Sequence, residues 1–151
     1  MNTNSRFAVA VHTLGFVGFA AGRHPVTSED IAVSVNTNPV VIRRVLGLLR
    51  EAGLVTSQPG PGGGWRLNRR PDAITLRDAY RAVEPDPLFA LPQRPPSAAC
   101  DVGRNVQLVL DHYFKDAEAA MEESLANVTL ADVMADVARS FGACRKGDVR
   151  V

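Results

Sequence analysis

Cysteine is almost missing from this chain: Cys100 and Cys144 are the only two in 151 residues. Two thiols build no disulfide framework, and nothing in their spacing decides whether they pair. Histidine is as scarce. His12, His24 and His112 are scattered, with no paired metal spacing such as H-E-x-x-H, and no phosphate-cradling motif accompanies them. The chain is therefore not expected to be an enzyme or to hold a metal at a histidine site. His12, in an apolar helix, is expected as a satisfied core or interface residue. No apolar run is long enough to span a bilayer. The start, "RFAVAVHTLGFVGFAAG", is broken by His12 and followed by a fresh helix start in "HPVTSEDIA". It reads as a first core helix rather than a secretory signal, and the cytoplasm is the expected location.

Lysine is absent from the first half. Met1 to Ala82 carries ten Arg and no Lys against five acids, a net +5; Val83 to Val151 carries seven basic against eleven acidic residues, a net −4. A basic first half suits a polyanion and an acidic second half repels one, so the overall +1 hides two different jobs. The composition, 46% hydrophobic and 22% charged, is that of an ordinary globular protein. At this length about 70% of the unfolded surface can be buried without staples.

Three times T-x-x-D precedes an apolar run, at Thr27/Asp30, Thr75/Asp78 and Thr129/Asp132. Each is a form of the capping box, in which the hydroxyl accepts from a first-turn N–H while the acid sits at the positive end of the helix dipole. A fourth start is marked by Asn38 as cap and Pro39 in the first turn, with Gly53 as the left-handed exit. In that helix Val41, Ile42, Val45, Leu48 and Leu49 recur on one side, leaving Val40, Arg43, Arg44, Gly47 and Arg50 on the other. Only "NTN" separates it from a short helix over Thr27 to Val35, the length signature of a helix-turn-helix. Then "LVTS", "QPGPGGG" and "WRL" read as a hairpin too short to stand alone. "EPDPLFALPQRPPSAA" carries five prolines and reads as an arm, and Asp101 to Asn127 reads as one long amphipathic helix of about 39 Å.

The fold class expected is mainly α with a small β-hairpin wing: a winged helix-turn-helix domain over 1–83, a Pro-rich linker over 84–99, and a dimerisation helix with a C-terminal helix and tail over 100–151. A helix with an exposed arginine face fits the major groove of double-stranded DNA. Arg43 and Arg44 are the candidate base readers. Ser28, Asn36, Thr37, Asn38, Val40 and Arg50 are placed beside the groove or on phosphates. The bare backbone of Gly62, Gly63 and Gly64 is expected to approach the sugar-phosphate edge, with Trp65 and Arg66 following and Arg69 and Arg70 as a neutralising base. In the long helix Val106, Leu110, Phe114, Ala117, Met121 and Leu125 are the expected homodimer seam, with Glu118, Glu122 and Glu123 turned to solvent. A two-fold dimer spaces its recognition helices about one DNA turn apart. The competing reading is a winged-helix protein-protein interaction module without DNA binding.

"GLVTSQPGPGGGWRL" followed by "ITLRDAYRAVE", together with "VTLADV" at Val128 to Val133, resembles the Rrf family of bacterial winged helix-turn-helix transcriptional regulators, the IscR- and NsrR-like proteins. The resemblance implies a homodimer that binds a two-fold symmetric operator, usually as a repressor; a small-molecule or protein effector is a separate candidate partner. Cluster-binding members carry three cysteines between the winged domain and the long helix, where this chain has Cys100 alone, so no iron-sulfur cofactor is expected. Pro59 stands where IscR-like members often place an arginine. Cys100, beside Asp101 at the start of the long helix, is left as the candidate redox-sensing thiol.

Overall fold

The computed structural model describes residues 3–143. The element order is α1 (Thr3–Phe19), α2 (Ser28–Val35), α3 (Pro39–Glu51), β1 (Val55–Gln58), β2 (Gly64–Leu67), a 3-10 turn (Pro71–Ala73), α4 (Leu76–Val83), α5 (Asp101–Ala126) and α6 (Leu130–Ala143). The chain is mostly helical, with one antiparallel hairpin, as expected. At each of the three T-x-x-D sites the hydroxyl accepts from the Asp backbone N–H, and the carboxylate accepts from the Thr N–H. Asn38 Oδ1 accepts from the Val40 N–H at 2.8 Å and opens α3. Asn36, expected beside a phosphate, makes the bend between α2 and α3 with its backbone. It takes the left-handed conformation (φ 57°, ψ 53°), which Asn tolerates better than most residues.

The core is built from α1, α2, α3, β1 and α4: Leu14, Val17, Ile31, Ile42, Val45, Leu46, Leu49, Leu54, Val55, Ile74 and Val83 are all buried. On α3 the inward stripe is Ile42, Val45, Leu46 and Leu49; Leu46 joins it, while Val41 and Leu48 lie half-buried at its edges. The hairpin pairs Val55 with Leu67, Thr56 with Arg66, Ser57 with Trp65 and Gln58 with Gly64. It leans on the helices through a bridge in which the Trp65 N–H donates to the Val26 carbonyl at 2.8 Å.

The chain after Asn127 does not stay with α5. Thr75 and Thr129, the cap residues of α4 and α6, lie side by side in an antiparallel bridge. There the Leu130 N–H donates to the Ile74 carbonyl at 2.7 Å and the Leu76 N–H to the Val128 carbonyl at 2.9 Å. Leu130 is buried in the same core as α1 to α4, and Met134 packs against it. The first turns of α6 are thus part of the packing of α1 to α4.

The stripe expected as the dimer seam is half-covered within its own chain. Val106, Leu110, Phe114, Met121 and Leu125 are half-buried, and only Ala117 is exposed. Phe114 stacks on Phe89 of the linker at 4.9 Å between ring centroids. Glu118 and Glu122, expected in solvent, also face inward: Glu118 accepts from the Leu88 N–H, and Glu122 pairs with Arg81 of α4. These lie around a cleft of about 330 Å³ between α4, the linker and α5 that also includes Tyr80, Glu84 and Met121. The apolar residues that α5 leaves in the open are Val102, Leu108, Val109 and Tyr113. Apolar residues thus lie on both faces of α5.

Candidate nucleic-acid interface

α3 offers an outward face. Val40, Arg43, Arg44 and Arg50 are exposed, with Gly47 between them. Val40, on the first turn, is an aliphatic side chain left 57% exposed on this face, of a kind that suits an apolar contact such as a thymine methyl. Arg44 lies on one flank of this face, near Arg6 of α1 and Leu48. Arg43 lies on the other flank, against the start of α2. There its Nε donates to the Ser28 hydroxyl at 3.2 Å, and its Nη2 donates to the Glu29 carboxylate. Ser28 is buried and its hydroxyl in turn donates to Glu29 at 3.0 Å, so it is not the free phosphate ligand expected from the sequence. Glu29 is held below the usual carboxylate range by hydrogen bonds from its own backbone N–H, from Ser28 and from Arg43.

Thr37 is half-buried, and Asn38 is exposed beside the first turn of α3. Arg66 is exposed on the outer side of β2. The other two members of the expected basic cluster are engaged within the chain. Arg69 donates to the Ala52 carbonyl at the end of α3, and Arg70 pairs with Asp72. Trp65 is half-buried against the hydrophobic core, so its ring anchors the hairpin instead of reaching outward. His12 is exposed and hydrogen-bonds Ser34 at 2.9 Å, a correction to its expected burial.

The glycines of the hairpin have an intrachain explanation that needs no ligand. Gly62 has φ +73°, a left-handed conformation that disfavours any side chain. A Cβ on Gly63 would lie 2.0 Å from the Gln58 carbonyl oxygen, and one on Gly64 would lie 2.8 Å from the Val26 oxygen. Bare backbone is required to close the hairpin and dock it on residue 26. Gly47 differs: a Cβ there meets nothing within 4 Å. Gly47→Ala is therefore expected to stabilise the free protein by about 0.5–1 kcal/mol, since Gly in a helix interior costs that much relative to Ala. Gly63→Ala is expected to destabilise it by roughly 1–3 kcal/mol through the forced backbone shift. Urea unfolding of the two variants at one protein concentration checks both signs.

The match of most of the chain to known proteins favours a DNA-binding over a purely protein-binding module. The profile of the Rrf2 family, described as iron-dependent transcriptional regulators, matches residues 3–136. The chain belongs to the Rrf2 family. YwnA of Bacillus subtilis strain 168, a candidate HTH-type transcriptional regulator, is 43% identical over 132 residues, covering 87% of this chain and 96% of YwnA. A solved structure described as a candidate DNA-binding protein shares 42% identity at TM-score 0.68, covering 85% of this chain and 98% of that one. A candidate transcriptional regulator from Lactobacillus plantarum superposes at TM-score 0.74 with 27% identity, covering 87% and 89%. This Rrf2 protein is accordingly a winged-helix, DNA-binding transcriptional regulator and not an enzyme.

The family description speaks of iron-dependent regulators, while this chain is poor in the thiolates that hold a cluster. The whole chain has two cysteines, fewer than the three thiolates on which a protein-held cluster of the usual type relies. Cys100 is exposed at the cap position of α5, and Cys144 lies outside the described residues. Among the described residues no group of three or more His, Cys, Asp or Glu side chains is placed to hold an ion. Nor, among those residues, is any helix long and apolar enough to cross a membrane.

Proposed function

We propose that the protein is a cytoplasmic homodimeric repressor that reads a two-fold symmetric operator, with one α3 in each of two successive major grooves. The observation that carries this reading is the outward face of α3, where Arg43, Arg44 and Arg50 are exposed together with Val40. Arg43 and Arg44 read base edges. Asn38, Thr37, Arg50, Arg66 and the hairpin backbone at Gly62 to Gly64 position the domain on phosphates. The two copies pair along the exposed stripe of α5, at Val102, Val109, Tyr113 and Ala117, and not along the stripe that faces the linker. Switching in this protein proceeds without an iron-sulfur cluster.

The test is fluorescence anisotropy with a duplex from the gene's own promoter and a scrambled duplex, from 50 to 200 mM salt. Affinity is expected to fall by about 0.9 log unit per log unit of salt for every phosphate neutralised. Replacing Arg43 and Arg44 by Ala is expected to lower the preference for the promoter duplex by roughly thirtyfold or more, two contacts each being worth about 1–3 kcal/mol of discrimination. Unchanged preference in the double variant removes both residues from base reading.

A further inference from the structure

We infer that Glu29, with Ser28 behind it, is a positioning residue that holds Arg43 with one edge of its guanidinium spent and the other presented for guanine. The inference rests on the base-reading role proposed for Arg43.

A guanidinium has five N–H donors in a fixed planar fork. Two of Arg43's lie on its side edge, and both are occupied: Nε by the Ser28 hydroxyl at 3.2 Å, and one Nη2 hydrogen by the Glu29 carboxylate. Of the three that remain, one on Nη1 and one on Nη2 form the end edge, two parallel donors at the spacing that matches the O6 and N7 acceptors of guanine in the major groove. An arginine free in solvent loses much of its rotamer freedom when it docks on a base. One already tied to a neighbouring helix has lost that freedom beforehand, so more of the hydrogen-bond energy appears as discrimination.

Ser28 is 7% exposed and lies on the first turn of α2, which the Thr27 capping box fixes. Its hydroxyl also donates to Glu29 at 3.0 Å, so the carboxylate is itself steered. The support chain thus runs from a buried serine through an oriented carboxylate to an exposed guanidinium. As an ion pair between exposed groups the Glu29 to Arg43 contact adds little to folding stability, in keeping with an orienting role. Glu29 also tempers the charge of Arg43 towards phosphates, which are present at every sequence, and so favours base contact over backbone contact.

The experiment is selection of binding sites from a random duplex library by the full-length protein and by Arg43→Ala, Glu29→Gln and Ser28→Ala variants. Affinities of the selected site and of its base-substituted versions are then measured at two salt concentrations. The wild type is expected to enrich guanine at one pair of symmetry-related positions, and Arg43→Ala to lose that preference. Glu29→Gln is expected to reduce the discrimination at that pair alone, by about five- to fiftyfold, with base preferences elsewhere unchanged. Binding to scrambled duplex should stay equal or tighten, because a negative charge is gone. Ser28→Ala should follow in the same direction with a smaller effect. If Arg43→Ala loses the guanine preference while Glu29→Gln keeps it or sharpens it, the positioning role is wrong and Arg43 remains a reader. If Arg43→Ala keeps the preference, the reading of Arg43 falls and the inference falls with it.

Discussion

Leu130→Ala is expected to cost about 2–5 kcal/mol of unfolding free energy, the range for deleting a fully buried leucine where the surroundings relax only in part. Leu130 is 1% exposed, and it enters the core from the start of α6, far along the chain from the helices that surround it. Its backbone N–H closes the bridge to Ile74, so a cavity there also loosens the joint between the caps of α4 and α6. Met134, one turn further on, packs so tightly on α1 that a Cβ on Gly18 would sit 2.8 Å from its sulfur. For a chain of this length the melting point is expected to fall by roughly 4–20 °C. Val33→Ala, at a residue 82% exposed on α2, serves as the control and is expected to stay within about 0.5 kcal/mol. Calorimetry at one fixed protein concentration checks both. Equal melting points for the two variants mean that the closing helix hangs free of the winged domain. A large loss for Leu130→Ala alone makes α6 a structural part of the DNA-binding unit.

That dependence shows where sequence reading reached and where it stopped. Local rules gave the helix starts, because a Thr hydroxyl, an Asp carboxylate and the N–H groups they satisfy all lie within four residues. The Asn38 and Pro39 start of α3 is legible for the same reason. The hairpin was legible from its turn residues, but the reason for its glycines was not. It depends on how close β2 comes to residue 26, across an intervening pair of helices. Nor could spacing show that two of the Thr caps, Thr75 and Thr129, meet in a bridge. The site suffered most where a contact crosses elements. Arg43 looked like a free arginine because Glu29 and Ser28 lie on another helix, and Trp65 looked available because nothing local says which side of β2 meets the core.

Tyr113→Glu together with Val109→Glu is expected to convert the proposed dimer to monomer at micromolar concentration, and to weaken binding to a two-half-site duplex by about 10²–10⁴. That is the factor by which tethering a second binding event raises overall affinity when both sites can be engaged. The residues are chosen by exposure. Val102, Val109 and Tyr113 are 68%, 50% and 63% exposed, and their separations of seven and four residues keep them on one side of α5 with Ala117 a turn beyond. A stripe of that length in water marks an interaction surface, and a second copy of the same helix is the simplest complement to it. Each carboxylate placed in such a seam meets its own symmetry mate or an apolar wall, and a buried, unpaired charge costs more than the contact area returns. Affinity for a single half-site is expected to stay the same, since α3 and the hairpin are untouched. Sedimentation velocity reads the assembly, and anisotropy with one- and two-half-site duplexes reads the binding. The contrasting substitution is Met121→Glu, on the face of α5 that lines the cleft with Tyr80 and Glu84. It is expected to lower stability by disturbing the contact with α4 while the dimer persists. If Met121→Glu yields monomers and the double variant does not, the seam lies along Leu110, Phe114, Met121 and Leu125 after all. The packing of that stripe on its own linker would then have to open when two chains meet.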